Sequence, residues 1–160
     1  MRFLLLILIS ISSNFLWSNV KTFICDIPYK VTPDLRHRAM VVIRPSYDGA
    51  ILLFYEESKE IIKEGIEEKY VKVFSIESER FLYDFKVTRD SYKFGKWIYI
   101  DRIKAEMTDS TPVKRKTIRT CESVTLEEHQ RALKEWVEYA SEQTKIWYAE
   151  NKNQLDKRKL

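Results

Sequence analysis

Between Tyr70 and Met107 the hydrophobic and polar positions alternate. Phe81, Tyr83, Phe85 and Val87 fall on one side, and Leu82, Asp84, Lys86 and Thr88 on the other. A period of two built from aromatic and β-branched residues predicts a half-buried strand. Arg89-Asp90-Ser91 supplies a turn, and a second run carries Tyr92, Phe94, Trp97, Ile98, Tyr99 and Ile100. The pattern predicts an antiparallel ribbon with an aromatic face. Upstream, the weak alternation of Val20 to Ile27 predicts a first strand. Ala39 to Ile43 and Ile51 to Tyr55 are continuous apolar runs around Pro45 to Gly49, whose Asp-Gly step predicts a hairpin. Lys114 to Cys121 reads as a last edge strand, with basic side chains that discourage unwanted pairing. Glu56 to Lys69 fits two descriptions: a helix by propensity, interrupted by Gly65, or a charged excursion of a hairpin.

The C-terminal third changes period. Thr125-Leu126-Glu127-Glu128 is a capping box, a hydroxyl at the cap with a glutamate three residues on. Beyond it Leu126, Leu133, Trp136, Val137, Ala140 and Trp147 recur at helical spacing, with His129 among them and Tyr139 and Ile146 on the opposite side. A helix over 125–155 would be roughly 45 Å long, longer than a small β domain. Its apolar stripe favours packing across the sheet over extension from it. The fold class expected is α+β: a small antiparallel sheet, as a sandwich or partly open barrel, followed by a long amphipathic helix.

Composition then sets the compartment. Residues 1–18 have a charged start at Arg2, an apolar core from Phe3 to Ile11 and a small-polar end near Ser18, which predicts an exported chain with a cleaved signal peptide; an uncleaved anchor is the alternative. The organisation expected is a signal peptide (1–18), a disulfide-closed β domain (19–124), the helix (125–155) and a basic tail (156–160). The two cysteines, Cys25 and Cys121, bracket the β-rich region and are expected to form one disulfide in an oxidising compartment. The alternative is two buried free thiols.

Charge and motifs narrow the chemistry. From residue 19 onward, 27 Lys/Arg stand against 24 Asp/Glu, too even a balance for a dedicated nucleic-acid binder. The three glycines are isolated, which excludes phosphate loops and dinucleotide fingerprints. His37 and His129, the only histidines, lie far apart in the sequence and in no catalytic or metal-binding motif. No catalytic residue, metal or cofactor is assigned, and no transmembrane span is expected after cleavage. The leading expectation is a non-enzymatic binding module of the cell envelope, meeting a protein or envelope component through Tyr83, Phe85, Trp97, Tyr99, Trp136, Tyr139 and Trp147. Arg36, Arg38, Lys114, Arg115 and Lys116 are the candidate contacts to an anionic surface. The runner-up is a small barrel carrying an apolar ligand, with Phe81, Tyr83, Phe85, Trp97 and Tyr99 around its cavity. An enzyme comes third.

Overall fold

The computed structural model describes residues 20–28, 34–44, 49–82, 84–112 and 116–157. The expected signal peptide, Tyr83, Lys114, Arg115 and residues 158–160 of the expected basic tail lie outside the described residues. The fold is α+β: a curled nine-stranded antiparallel sheet followed by one long helix. The strands are β1 (Lys21–Asp26), β2 (Ala39–Arg44), β3 (Gly49–Glu64), β4 (Glu67–Phe81), β5 (Phe85–Val87), β6 (Ser91–Phe94), β7 (Ile98–Asp101), β8 (Glu106–Asp109) and β9 (Thr117–Val124); the helix is α1 (Leu126–Lys157).

The sheet order β4-β3-β2-β1-β9-β8-β7-β6-β5 is two meanders joined where β1 meets β9. This order forces the sheet to curl. Laid flat, nine strands put about 38 Å between the outer edges, from eight gaps of about 4.8 Å. Those edges are β4 and β5, and Phe81 and Phe85 lie only four residue steps apart, a reach of about 14 Å at most. One end of the sheet therefore closes on itself. At the closure the Phe81 ring meets Phe94 at 5.9 Å, and the Gly95 amide donates to the Asp84 carbonyl (2.9 Å). Gly95 has φ +60°, and a Cβ there would sit 3.4 Å from the Phe81 ring, so glycine serves both the turn and the close approach.

The central stretch therefore differs from the ribbon its alternation predicts. Residues 81–88 are not one strand: the chain leaves β4 at Phe81 and crosses to the opposite edge of the sheet. Phe81 and Phe85 both reach the core, whereas Val87 is exposed. The run from Tyr92 likewise divides into β6 and β7 around Gly95–Trp97. Local alternation is indifferent to which strand a segment pairs with, and the break is visible only in the pairing.

Inside the curl, Val41, Ile43, Leu52, Phe94, Ile100 and Met107 form the centre of a continuous core with Cys25 and Cys121. Cys25 and Cys121 are disulfide-bonded, directly opposite each other on β1 and β9 with Cα atoms 4.0 Å apart. The bond links strands 96 residues apart in sequence and stitches the two meanders at their seam. This corrects the placing of β9 as an edge strand. It pairs with both β1 and β8, and the true edges are β4 and β5.

The segment that fitted two descriptions is a hairpin. β3 and β4 pair continuously from Ala50↔Phe81 to Glu64↔Glu67, around a turn in which Gly65 takes φ +68°. This ribbon, about 50 Å long by its 16-residue strand, matches the 32 residues of α1, about 48 Å. The long hairpin is why the helix does not outrun the sheet. The capping box forms as expected: the Thr125 amide donates to Glu128 Oε2 (2.8 Å), and the Glu128 amide to Thr125 Oγ1 (3.2 Å). The helix lies against β4 and β1. Trp136, fully buried, donates through Nε1 to the Leu35 carbonyl (2.8 Å) in the short 3-10 turn Leu35–His37. His129 and Ala140 are buried with it, but Val137, expected in the same stripe, is exposed. Tyr139, expected on the far side, instead meets Tyr55 (6.1 Å between ring centres). Lower down, the Phe74 amide on the edge of β4 donates to Thr144 Oγ1 (2.9 Å), so the helix caps an edge that would otherwise offer unpaired groups.

Candidate interaction surface

The helix covers only one of the two meanders. Strands β5 to β9 have their inner faces on the core and no element over their outer faces among the described residues. The register fixes what stands there. Lys86 faces Lys93, Lys93 faces Tyr99, Tyr99 faces Thr108, and Thr108 faces Ile118, one row across five strands in which Thr108 is buried between its larger neighbours. Trp97, two residues before Tyr99, is exposed in the turn that leads into β7. Its carbonyl accepts the Ser110 amide (3.0 Å) and hydroxyl (2.9 Å), which ties this corner to the end of β8.

The patch is apolar at its centre and basic at its margin. Trp97, Tyr99 and Ile118 are 47%, 40% and 47% exposed. Lys86, Lys93 and Lys116 surround them, all exposed. Asp101, Glu106 and Glu122 lie toward the other end of the strands, whereas Asp109, beside Thr108 on β8, lies at this end and is buried.

Ile118 was not singled out from the sequence, and the reason is instructive. In the run Thr117-Ile118-Arg119-Thr120-Cys121, polarity alone would turn the isoleucine inward and the arginine outward. Cys121 must face the core to meet Cys25, and alternation then brings Arg119 inward and sends Ile118 outward. Arg119 is 8% exposed. Its Nε donates to the His37 carbonyl (2.7 Å), and its Nη1 has no hydrogen-bond partner among the described residues. Burial lowers its pKa, while Asp109 and Asp26 act the other way. The disulfide overrides the polarity pattern, and the cue was the position of Cys121 in the alternation.

The remaining expected site residues do not converge. Phe85 and Trp136 are core residues, Tyr139 packs on Tyr55, and Trp147 is half-buried between α1 and the hairpin. Of the expected residues Tyr99 stands on the open face, and Trp97 and Lys116 are exposed immediately before the strands β7 and β9. Arg36 and Arg38 are already engaged. Arg36 makes a two-pronged pair with Asp34 (3.0 and 2.8 Å), and Arg38 does so with Asp26 (2.9 and 2.8 Å). The Arg36 guanidinium holds the Asp34 carboxyl below its ordinary range. The side chains expected around a ligand cavity also separate, with Phe81 and Phe85 packed on the core and Trp97 and Tyr99 outside.

The two histidines stay apart in the fold. His37 Nε2 sits 3.7 Å from Asp34 Oδ2 at the surface, while His129 is buried, its Nε2 without a hydrogen-bond partner among the described residues. Burial lowers the pKa of His129. The Tyr55 phenol is also buried, which pushes it up to about 12. Among the described residues no group of three His, Cys, Asp or Glu is placed to hold a metal ion, and no helix is long and apolar enough to cross a membrane. Comparison with protein-family models, with curated proteins and with solved structures finds no match.

Proposed function

We propose that this chain is an exported, non-enzymatic interaction module of the cell envelope, and that it holds its partner against the open face of the second meander. One observation carries the proposal: Tyr99 and Ile118 stand exposed in one row of the sheet face that the helix leaves bare, and Trp97 is exposed in the turn that leads into the strand of Tyr99. Scattered exposed apolar side chains are ordinary, but large ones gathered in one part of a sheet, with lysines at the margin, form the central-anchor and polar-rim arrangement of binding surfaces. A disulfide at the seam of the sheet supports an oxidising compartment, and hence export.

The test is capture from an envelope fraction by the intact protein and by a Trp97→Ala/Tyr99→Ala/Ile118→Thr variant. The variant is expected to lose the captured partner while keeping its circular dichroism spectrum and its disulfide. A partner retained by the variant removes this surface from consideration. Export has its own test: mass spectrometry of the isolated protein is expected to find the chain beginning after Ser18 and both cysteines oxidised.

A further inference from the structure

A second feature lies away from that face, between the long hairpin and the last turns of α1. A cavity of about 400 Å³ opens there, walled by Tyr70, Val71, Trp147 and Leu155, with Lys59 and Lys72 on the strand side. The helix supplies its part at four-residue intervals, Trp147, Asn151 and Leu155, which stack on one face. The last turns are held to the hairpin by Lys69, whose Nζ lies 3.2 Å from Asp156 Oδ1.

The two lysines are in register. Lys59 on β3 stands directly opposite Lys72 on β4, an arrangement of like charges that opposes strand pairing. Lys72 is neutralised by Glu57 at 2.6 Å. Lys59 makes no ion pair among the described residues. The cavity thus has an apolar wall and, at its margin, one cation without a counter-charge.

We propose that this cavity binds a single-chain amphiphile with a monoanionic head, a free fatty acid in chemical class. Its carboxylate pairs with Lys59, and its chain lies along Tyr70, Val71, Trp147 and Leu155. One unpaired cation calls for one negative charge. The volume lies toward the small end of ligand pockets, which run from about 300 to about 1,000 Å³, and so suits one acyl chain better than a two-chain phospholipid. The site is separate from the open sheet face, and either can stand without the other.

The experiment is calorimetric titration of the full chain with dodecanoate below its micelle concentration. Dodecan-1-ol and vesicles of an anionic two-chain phospholipid form parallel arms. Dodecanoate is expected to bind saturably at one per chain, with dodecanol about tenfold weaker or worse, as loss of a charge-assisted bond implies. Lys59→Gln is expected to weaken dodecanoate by a similar factor and leave dodecanol unchanged. Lys59 is exposed, and its removal relieves a cross-strand repulsion, so the variant is expected to melt no lower than the parent. Equal binding of the acid and the alcohol, no effect of Lys59→Gln, no saturable binding, or binding to vesicles alone would each overturn the proposal.

Discussion

The two meanders of this sheet carry different sequences because they are buried differently. In the first, β2 is buried on both faces, with Val41 and Ile43 in the curled core and Met40 buried on the other side, and it reads AMVVI without a break. The neighbouring β3 begins with a similar run, AILLFY. In the second meander β6 and β7 are four residues long and bury one face only: Tyr92 and Phe94 are in while Lys93 is out, and Ile98 and Ile100 are in while Tyr99 is out. A strand covered on both sides has no position that water rewards for being polar, whereas a strand covered on one side has every second position in contact with water. The lesson is that an unbroken apolar run marks a strand buried on both faces, whereas alternation marks a strand with one face in water.

The sharpest way to break this comparison is at the seam. Replacing both cysteines by alanine removes the constraint on a loop of nearly 100 residues and is expected to cost about 4–5 kcal/mol on the entropic account, read as a lowered denaturant midpoint. Next comes a matched pair of tryptophans. Trp136→Ala in the covered half empties a fully buried site and removes one of the two donors to the Leu35 carbonyl, at an expected cost of about 3–5 kcal/mol. Trp97→Ala in the open half is expected to change stability by less than about 0.5 kcal/mol. Similar losses at both positions would dissolve the distinction between the halves.

Titration sharpens the comparison further. His129 is buried in the covered half, and its pKa in the folded chain lies below its ordinary 6.5. As pH falls through 6.5 the unfolded chain takes up a proton that the folded chain refuses, so stability is full above that pH and declines below it, down to the folded-state value. Denaturant midpoints at about pH 7.5 and about pH 5.5 are expected to differ for the parent and to differ less for His129→Gln.

A gain in stability is expected in the open half, at the turn between β7 and β8. Ala105 takes φ +54°, a left-handed conformation that disfavours residues with a Cβ, and its carbonyl accepts the Cys121 amide (2.7 Å). Ala105→Gly is expected to raise stability by about 0.5–1 kcal/mol, the relief of the Cβ clash less the entropy that glycine loses. Thermal unfolding measures it, and a loss of stability would mean that Ala105 packs usefully in spite of its backbone.

Much of the local structure was legible along the chain. The capping box placed the start of α1, the two apolar runs of 39–43 and 51–55 placed the paired β2 and β3, and the cysteine count pointed to the disulfide. The change of partner between β4 and β5 was not legible, because the alternation continues unbroken from one to the other. The hairpin of 56–69 was ambiguous because its charged residues suit a helix as readily as a solvated ribbon. Of the residues expected at a contact surface, Tyr99 reaches the open face and Trp97 is exposed just before it, while Phe85 and Trp136 pack inside and Tyr139 is half-buried against Tyr55. Aromatic identity says that a residue will be buried by something; it does not say by which molecule.

By itself the sequence determined the elements whose causes are local: the strand alternation, the helix with its cap, and the pair of thiols. Only the tertiary structure decided that β9 would be central, that Arg119 would face inward and Ile118 outward, and that the helix would cover one meander and leave the other bare. The physical reason is that pairing and parity are fixed between segments distant in the chain. Cys121 points to the core because Cys25 is there to meet it, and every neighbour on that strand takes its side accordingly.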